Sequence, residues 1–193
     1  YRHEKRFEHL PGLGVMINGD GDDGEIDSLL EQLKQQEFNY VGQTLRPRVA
    51  AIKADDGARL AELAARADEK SGAALILISD DAAALKQAAE PLKDKNPLLY
   101  CATEANFDEV AAVAKELDVP FTIKSDSMEK LSDMGQKALD DGFKEVVIDP
   151  ASATLGDVLM DQTLLRRAAV KKTIRSLGFP TIGFPCSMTD DKM

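Results

Sequence analysis

Five acidic residues stand at matching places in this chain. Asp55, Asp80, Glu104, Asp126 and Asp149 each follow a short apolar run that reads as a strand. Carboxylates gathered at strand ends can hydrogen-bond a polar ligand such as a pterin ring, or shift one another's pKa as an acid/base set. Their blander role is to cap the helices that follow and to solvate a rim. Asp80 and Asp149 follow the most apolar runs, Ala74 to Ile78 and Val146 to Ile148, and are the two best candidates for binding.

Other residues that could do chemistry lack a completing pattern. Gly19-Asp20-Gly21-Asp22-Asp23-Gly24 matches G-x-G-x-x-G between a strand and a helix. Three aspartates there would repel the pyrophosphate that a dinucleotide site must attract, so an acidic turn opening a helix is expected. Gly24 also takes the fifth ligand position of an EF-hand reading. Cys101 and Cys186 have no C-x-x-C spacing, so no metal ligands are assigned. Cys101 reads as a small buried hydrophobe. His3 and His9 lie in a charged leader without a third partner. Arg166 and Arg167, side by side on a long helix, suit a carboxylate, a phosphate or a partner subunit.

The elements that hold the acids in place repeat. Arg48 to Lys53, Ala74 to Ile78, Leu98 to Ala102, Phe121 to Lys124, Val146 to Ile148 and Thr181 to Phe184 read as strands that start roughly every 25 residues. Between them lie amphipathic helices, for example Leu60, Leu63, Ala64 and Ala67, then Val110, Val113, Ala114 and Leu117. Asn106 with Glu109, and Thr154 with Asp157, have capping-box spacing. Ahead of the repeat, Leu13 to Asn18 reads as a short strand, and Ile26, Leu29, Leu30 and Leu33 as one face of a helix.

Strand–helix repeats of this length imply parallel strands joined by right-handed crossovers. Uniform units, without a break at which the strand order would reverse, favour a (β/α)8-type barrel over an open doubly wound sheet. The expected fold is α/β, a partial TIM-type barrel. Residues 1–46 form an N-terminal strand–turn–helix extension and 47–193 the first six barrel strands, continuing in a longer polypeptide. Hydrophobic residues make up 44%, aromatics only 5%, and Trp is absent, so Ala, Leu, Ile and Val fill the core. A net charge of -10 opposes nucleic-acid binding. No run approaches the roughly 20 apolar residues of a membrane span. With no basic-then-apolar leader and few cysteines, the expected location is cytoplasmic.

The ordered stretches Tyr1 to Lys5, Val41 to Leu45, Ala74 to Asp81, Pro97 to Thr103, Val147 to Pro150, Leu165 to Ala169 and Leu177 to Gly183 resemble the large (gamma) subunit of the corrinoid iron–sulfur protein of the acetyl-CoA decarbonylase/synthase complex. The resemblance implies a methyl carrier. A corrinoid cobalt takes a methyl group from a methylated pterin through a methyltransferase and passes it to acetyl-CoA synthase. It also implies an N-terminal domain with a 4Fe-4S cluster, a central barrel, a C-terminal corrinoid domain and a small barrel subunit as partner. Only the central barrel is matched here, so neither cofactor and no catalytic residue is expected in this segment. Scaffolding and subunit contact are its expected roles, with Arg166 and Arg167 at the interface. One local departure is Ala151-Ser152 after Asp149-Pro150, where Gly-Thr is expected. The rival expectations are a pterin-binding barrel enzyme with an acidic mouth, and an interaction module that retains only subunit contacts.

Overall fold

The computed structural model describes residues 11–188, and of Tyr40 and Gln43 the backbone alone. His3, His9 and the stretch Tyr1 to Lys5 lie outside the described residues. The strands are β1 (Gly14–Asn18), β2 (Phe38–Tyr40), β3 (Gln43–Leu45), β4 (Val49–Lys53), β5 (Ala74–Ile78), β6 (Leu98–Ala102), β7 (Phe121–Lys124) and β8 (Val146–Asp149). The helices are α1 (Asp23–Gln35), α2 (Gly57–Ser71), α3 (Ala82–Ala89), α4 (Phe107–Leu117), α5 (Met128–Asp140) and α6 (Leu155–Lys171).

Six strands form one sheet in the order β1-β4-β5-β6-β7-β8, with a helix after each. Neighbours β1 and β4, β4 and β5, β5 and β6, and β7 and β8 run parallel. The order rises along the chain without a reversal, so there is no switch point of the doubly wound kind. Right-handed crossovers that always step the same way put their helices on one face. Accordingly α1 packs on α2, and α2 on α3. This is the arrangement of a partial TIM-type barrel.

The six strands are not the six read from the sequence. β1, expected in the extension, joins the sheet as an edge strand beside β4, with Gly14 opposite Val49 and Asn18 opposite Lys53. Thr181 to Phe184, expected as a full strand, contributes a single bridge from Thr181 to Ile148. Pro180 accepts from the Ile148 N–H and Ile182 donates to the Ile148 carbonyl. Pro185 then opens a 3₁₀ turn, Pro185–Ser187. Prolines on both sides leave too few donors for a longer ladder. An antiparallel hairpin of β2 and β3 lies between α1 and β4.

Residues 11–100 with 116–119 make one compact unit, and 101–115 with 120–188 a second. In the first, Ile17, Ile52, Leu77 and Leu99 share one register row and are almost closed to solvent. The expected α2 face of Leu60, Leu63, Ala64 and Ala67 is fully buried. In α1, Ile26, Leu30 and Leu33 are buried but Leu29 is 41% exposed, so that stripe is narrower than its spacing suggested. Asp27 of α1 accepts from Arg66 and Lys70 of α2, each at 2.8 Å. In the second unit Phe121 is sealed between the edges of Phe107 and Phe143, with ring centroids 5.9 Å and 4.9 Å away.

Candidate functional site

In a parallel sheet, residues in register point to the same face, and the next residue along each strand points to the other. In the first unit the row beyond Ile17, Ile52 and Leu77 is Asn18, Lys53, Ile78 and Tyr100. It closes the C-terminal end of the face opposite the helices. Gly19 then donates its N–H to the Lys53 carbonyl at 2.7 Å. A side chain at Gly19 would put a Cβ 2.9 Å from that of Ala54, so only glycine lets the β1–α1 turn lie this close to β4. The turn and the end of β4 enclose a cavity of about 450 Å³, lined by Asn18, Asp20, Gly21, Lys53, Ala54 and Asp55.

Asp55 therefore stands at a strand end beside a cavity, with a lysine and an amide for neighbours. It does not cap α2. Asp56 does, accepting from the Arg59 N–H at 2.9 Å. The same division recurs along the chain. Asp80 follows β5, and Asp81 caps α3 by accepting from the Ala83 N–H at 2.9 Å. Asp126 follows β7, and Ser127 caps α5. Asp22 caps α1, which makes the acidic glycine turn a helix start. In these three units capping falls to the residue after the candidate, and Asp55, Asp80 and Asp126 are exposed.

Glu104 follows β6 and pairs with Lys130 at 2.8 Å, which raises the lysine's pKa. Asn106 turns back to accept from both the N–H and the hydroxyl of Thr103, at 2.7 Å and 3.0 Å. Its side chain thereby ties down the β6–α4 loop. Thr154 and Asp157 do form the expected capping box on α6.

Asp149 is different from the other candidates. It is the last residue of β8 and 5% exposed. One carboxylate oxygen accepts from the Ala151 N–H at 2.8 Å, closing a tight turn over Pro150. Ala151 is held there at φ 52°, the left-handed region that favours glycine. That is a physical reason for the glycine which the resemblance led one to expect. Asp149 lies in register with Lys124, and the row behind them is Thr122 and Val147. Thr122 is wholly buried and its hydroxyl has no hydrogen-bond partner among the described residues.

The structure thus places all five acids at C-terminal strand ends, with Asp55 and Asp80 in one unit and Glu104, Asp126 and Asp149 in the other. Lys53, Asn18 and Thr122 were not singled out from the sequence. Thr122 was legible as a polar residue at an inward position of Phe121-Thr122-Ile123-Lys124. Arg166 and Arg167 lie exposed on α6. Cys101 is buried in β6, and Cys186 is exposed. Among the described residues no helix is long and apolar enough to cross a membrane.

Residues 1–191 match the family described as the CO dehydrogenase/acetyl-CoA synthase delta subunit. The chain is 33% identical over 184 residues to the corrinoid/iron-sulfur protein large subunit of Moorella thermoacetica, covering 94% of this chain and 41% of that protein. It is 29% identical over 191 residues to the acetyl-CoA decarbonylase/synthase complex subunit gamma of Methanothermobacter thermautotrophicus, covering 96% and 42%. It is 31% identical over 195 residues to the subunit gamma 1 of Methanosarcina thermophila, covering 96% and 41%. The chain spans about two fifths of the length of these curated relatives.

Proposed function

Because the chain belongs to the CO dehydrogenase/acetyl-CoA synthase delta subunit family, we propose that it is the barrel segment of a cytoplasmic corrinoid iron–sulfur methyl carrier. In that role the whole protein receives a methyl group from a methylated pterin through a methyltransferase and delivers it to acetyl-CoA synthase. This segment serves as the scaffold between the cofactor-bearing parts and as a surface for a small barrel subunit. The observation that carries the reading is the match over residues 1–191, end to end through the β-α repeat, to proteins named as corrinoid iron–sulfur and decarbonylase/synthase subunits.

The donor set in this segment does not fit a four-iron cluster. Such a cluster takes a full set of cysteine thiolates, and the chain has two cysteines, Cys101 buried inside a strand and Cys186 exposed. No cluster ligand is therefore assigned to these residues, and no step of the methyl transfer is routed through them. The test is reconstitution. The full-length large subunit, loaded with corrinoid, is expected to accept a methyl group from a methyltransferase charged with methyltetrahydrofolate. Failure to methylate the cobalt under reducing conditions would refute the carrier role.

One observation favours a second reading, a pterin-binding enzyme. The cavity beside Asp55 sits at the strand ends where barrel enzymes keep their sites. Asp55, which lines it, would then hydrogen-bond the ring. Calorimetric titration of the chain with methyltetrahydrofolate separates the two readings. The scaffold reading expects no heat up to millimolar ligand, whereas saturable binding lost in an Asp55→Asn variant supports the enzyme.

A further inference from the structure

Helix α6 is out of keeping with the others. It is the longest, at 17 residues, yet Leu165 alone is buried. The shorter α2 and α5 bury four residues each. Leu155 is 58% exposed, Leu159 74%, Met160 61% and Leu164 43%. At about 100° per residue, Leu159, Met160 and Leu164 lie with Arg166 and Arg167 on the half of the helix turned away from Leu165, and Leu155 lies just inside the Leu165 half. A large apolar patch of this kind on a soluble fold marks an interaction surface.

The charges on that half define what fits it. The side chains of its two arginines are exposed and have no ion-pair or hydrogen-bond partner among the described residues. The helix's acids, Asp157 and Asp161, lie on the other half. Asp157 is occupied by the capping box, and Asp161 accepts from the Ser152 hydroxyl at 2.7 Å. A chain with net charge -10 thus presents one helix face that is apolar and cationic with no carboxylate on it. Unpaired guanidiniums beside apolar side chains are matched by carboxylates around an apolar centre.

We infer that the outward half of α6 is a protein-docking face, and that its occupant is a partner subunit presenting an apolar patch rimmed by Asp and Glu. The inference rests on the subunit-contact reading above and names the surface and the chemistry. Leu159 and Met160 are the apolar anchors, and Arg166 and Arg167 set orientation and on-rate. Charge steering of this sort weakens as salt screens it.

The experiment uses the full-length large subunit with the purified small subunit. Affinity is measured by calorimetry at low and high salt for the wild type, for Leu159→Asp, and for Arg166→Glu with Arg167→Glu. Thermal midpoints of each free large subunit are recorded beside it. The expected result is a loss of roughly tenfold or more in each variant, a flatter salt dependence in the charge-reversed pair, and unchanged midpoints. Unchanged affinity with an intact heterodimer overturns the docking face and leaves the subunit reading standing. Lack of pairing by the wild type instead brings down the subunit reading, and the docking face with it. A lowered midpoint for Leu159→Asp with unchanged affinity means that the chain's own continuation covers α6, and overturns the inference. Wild-type binding to phosphatidylserine–phosphatidylcholine vesicles, lost in the same variants while small-subunit affinity holds, overturns it in favour of a lipid surface.

Discussion

Gly135 is expected to tolerate no side chain, although it sits inside a helix. A Cβ built there would lie 2.4 Å from the Ser176 carbonyl oxygen, 3.1 Å from its carbonyl carbon and 3.2 Å from its Cβ. Ser176 is 2% exposed, in the 3₁₀ turn Arg175–Leu177 that packs on α5. Its hydroxyl is 2.9 Å from that of Ser132. Ala in place of Gly in a helix gains about 1 kcal/mol from propensity. Against this stand about 1–3 kcal/mol for overpacking against backbone that has little room to move and about 0.5–1.5 kcal/mol for the strained hydroxyl pair. The net expectation for Gly135→Ala is a destabilisation of about 1–3 kcal/mol, a fall in thermal midpoint of roughly 3–9 °C for a chain of this size. Urea and thermal melts followed by circular dichroism measure it. Gly156→Ala in α6 is the matched control, because a Cβ there meets nothing nearer than the Thr154 hydroxyl at 3.6 Å. There the propensity gain stands alone, so a stabilisation of up to about 1 kcal/mol is expected. A Gly135→Ala protein as stable as the wild type, or more so, would refute the close-packing account.

Other expectations follow from the same geometry. Ala151→Gly should be neutral or stabilising by up to about 1 kcal/mol, since relief of the left-handed strain outweighs the glycine entropy cost; a clear loss in a urea melt would mean that φ 52° carries no strain. Thr154→Ala removes the capping box and should cost about 0.5–2 kcal/mol, read as faster amide exchange in the first turn of α6. Arg59, hydrogen-bonded to Asp23, and Lys70, hydrogen-bonded to Asp27, hold both carboxyls below the usual aspartate range. Depressed values mean that their stabilisation is present above the unfolded aspartate pKa, near 3.9, and is lost as the pH falls through the lower folded values. The midpoint gap between wild type and Asp23→Asn with Asp27→Asn should therefore close in acid and shrink in molar salt; a gap independent of both would contradict the ion-pair assignment.

The repeat was legible because each unit writes its elements in full. Val146-Val147-Ile148 and Ala74-Leu75-Ile76-Leu77-Ile78 are apolar enough to read as strands buried on both faces, and Leu60, Leu63, Ala64 and Ala67 keep helical spacing without a gap. The place of one strand and the extent of another differ from the reading for one reason: sheet membership is decided by the neighbour. Gly14–Asn18 is short and only partly buried, and it is an edge strand because β4 lies alongside it. Thr181 to Phe184 has strand composition, but prolines at 180 and 185 withhold the donors. Among the site candidates, the division between tip and cap was not legible. Asp55-Asp56 and Asp80-Asp81 are pairs of identical residues, and only backbone geometry decides which member turns to the helix. The lysine and amide beside Asp55 come from two strands some 30 residues apart, a pairing that no local pattern records.

The division of labour at the strand ends also bears on how such a scaffold can change over time. Helix starts are secured by Asp56 and Ser127, so the preceding residues, Asp55 and Asp126, are released from that duty. Replacing either leaves the following helix anchored. Variation can therefore accumulate at the rim without unravelling what lies beneath, which leaves positions at which a binding preference can be acquired.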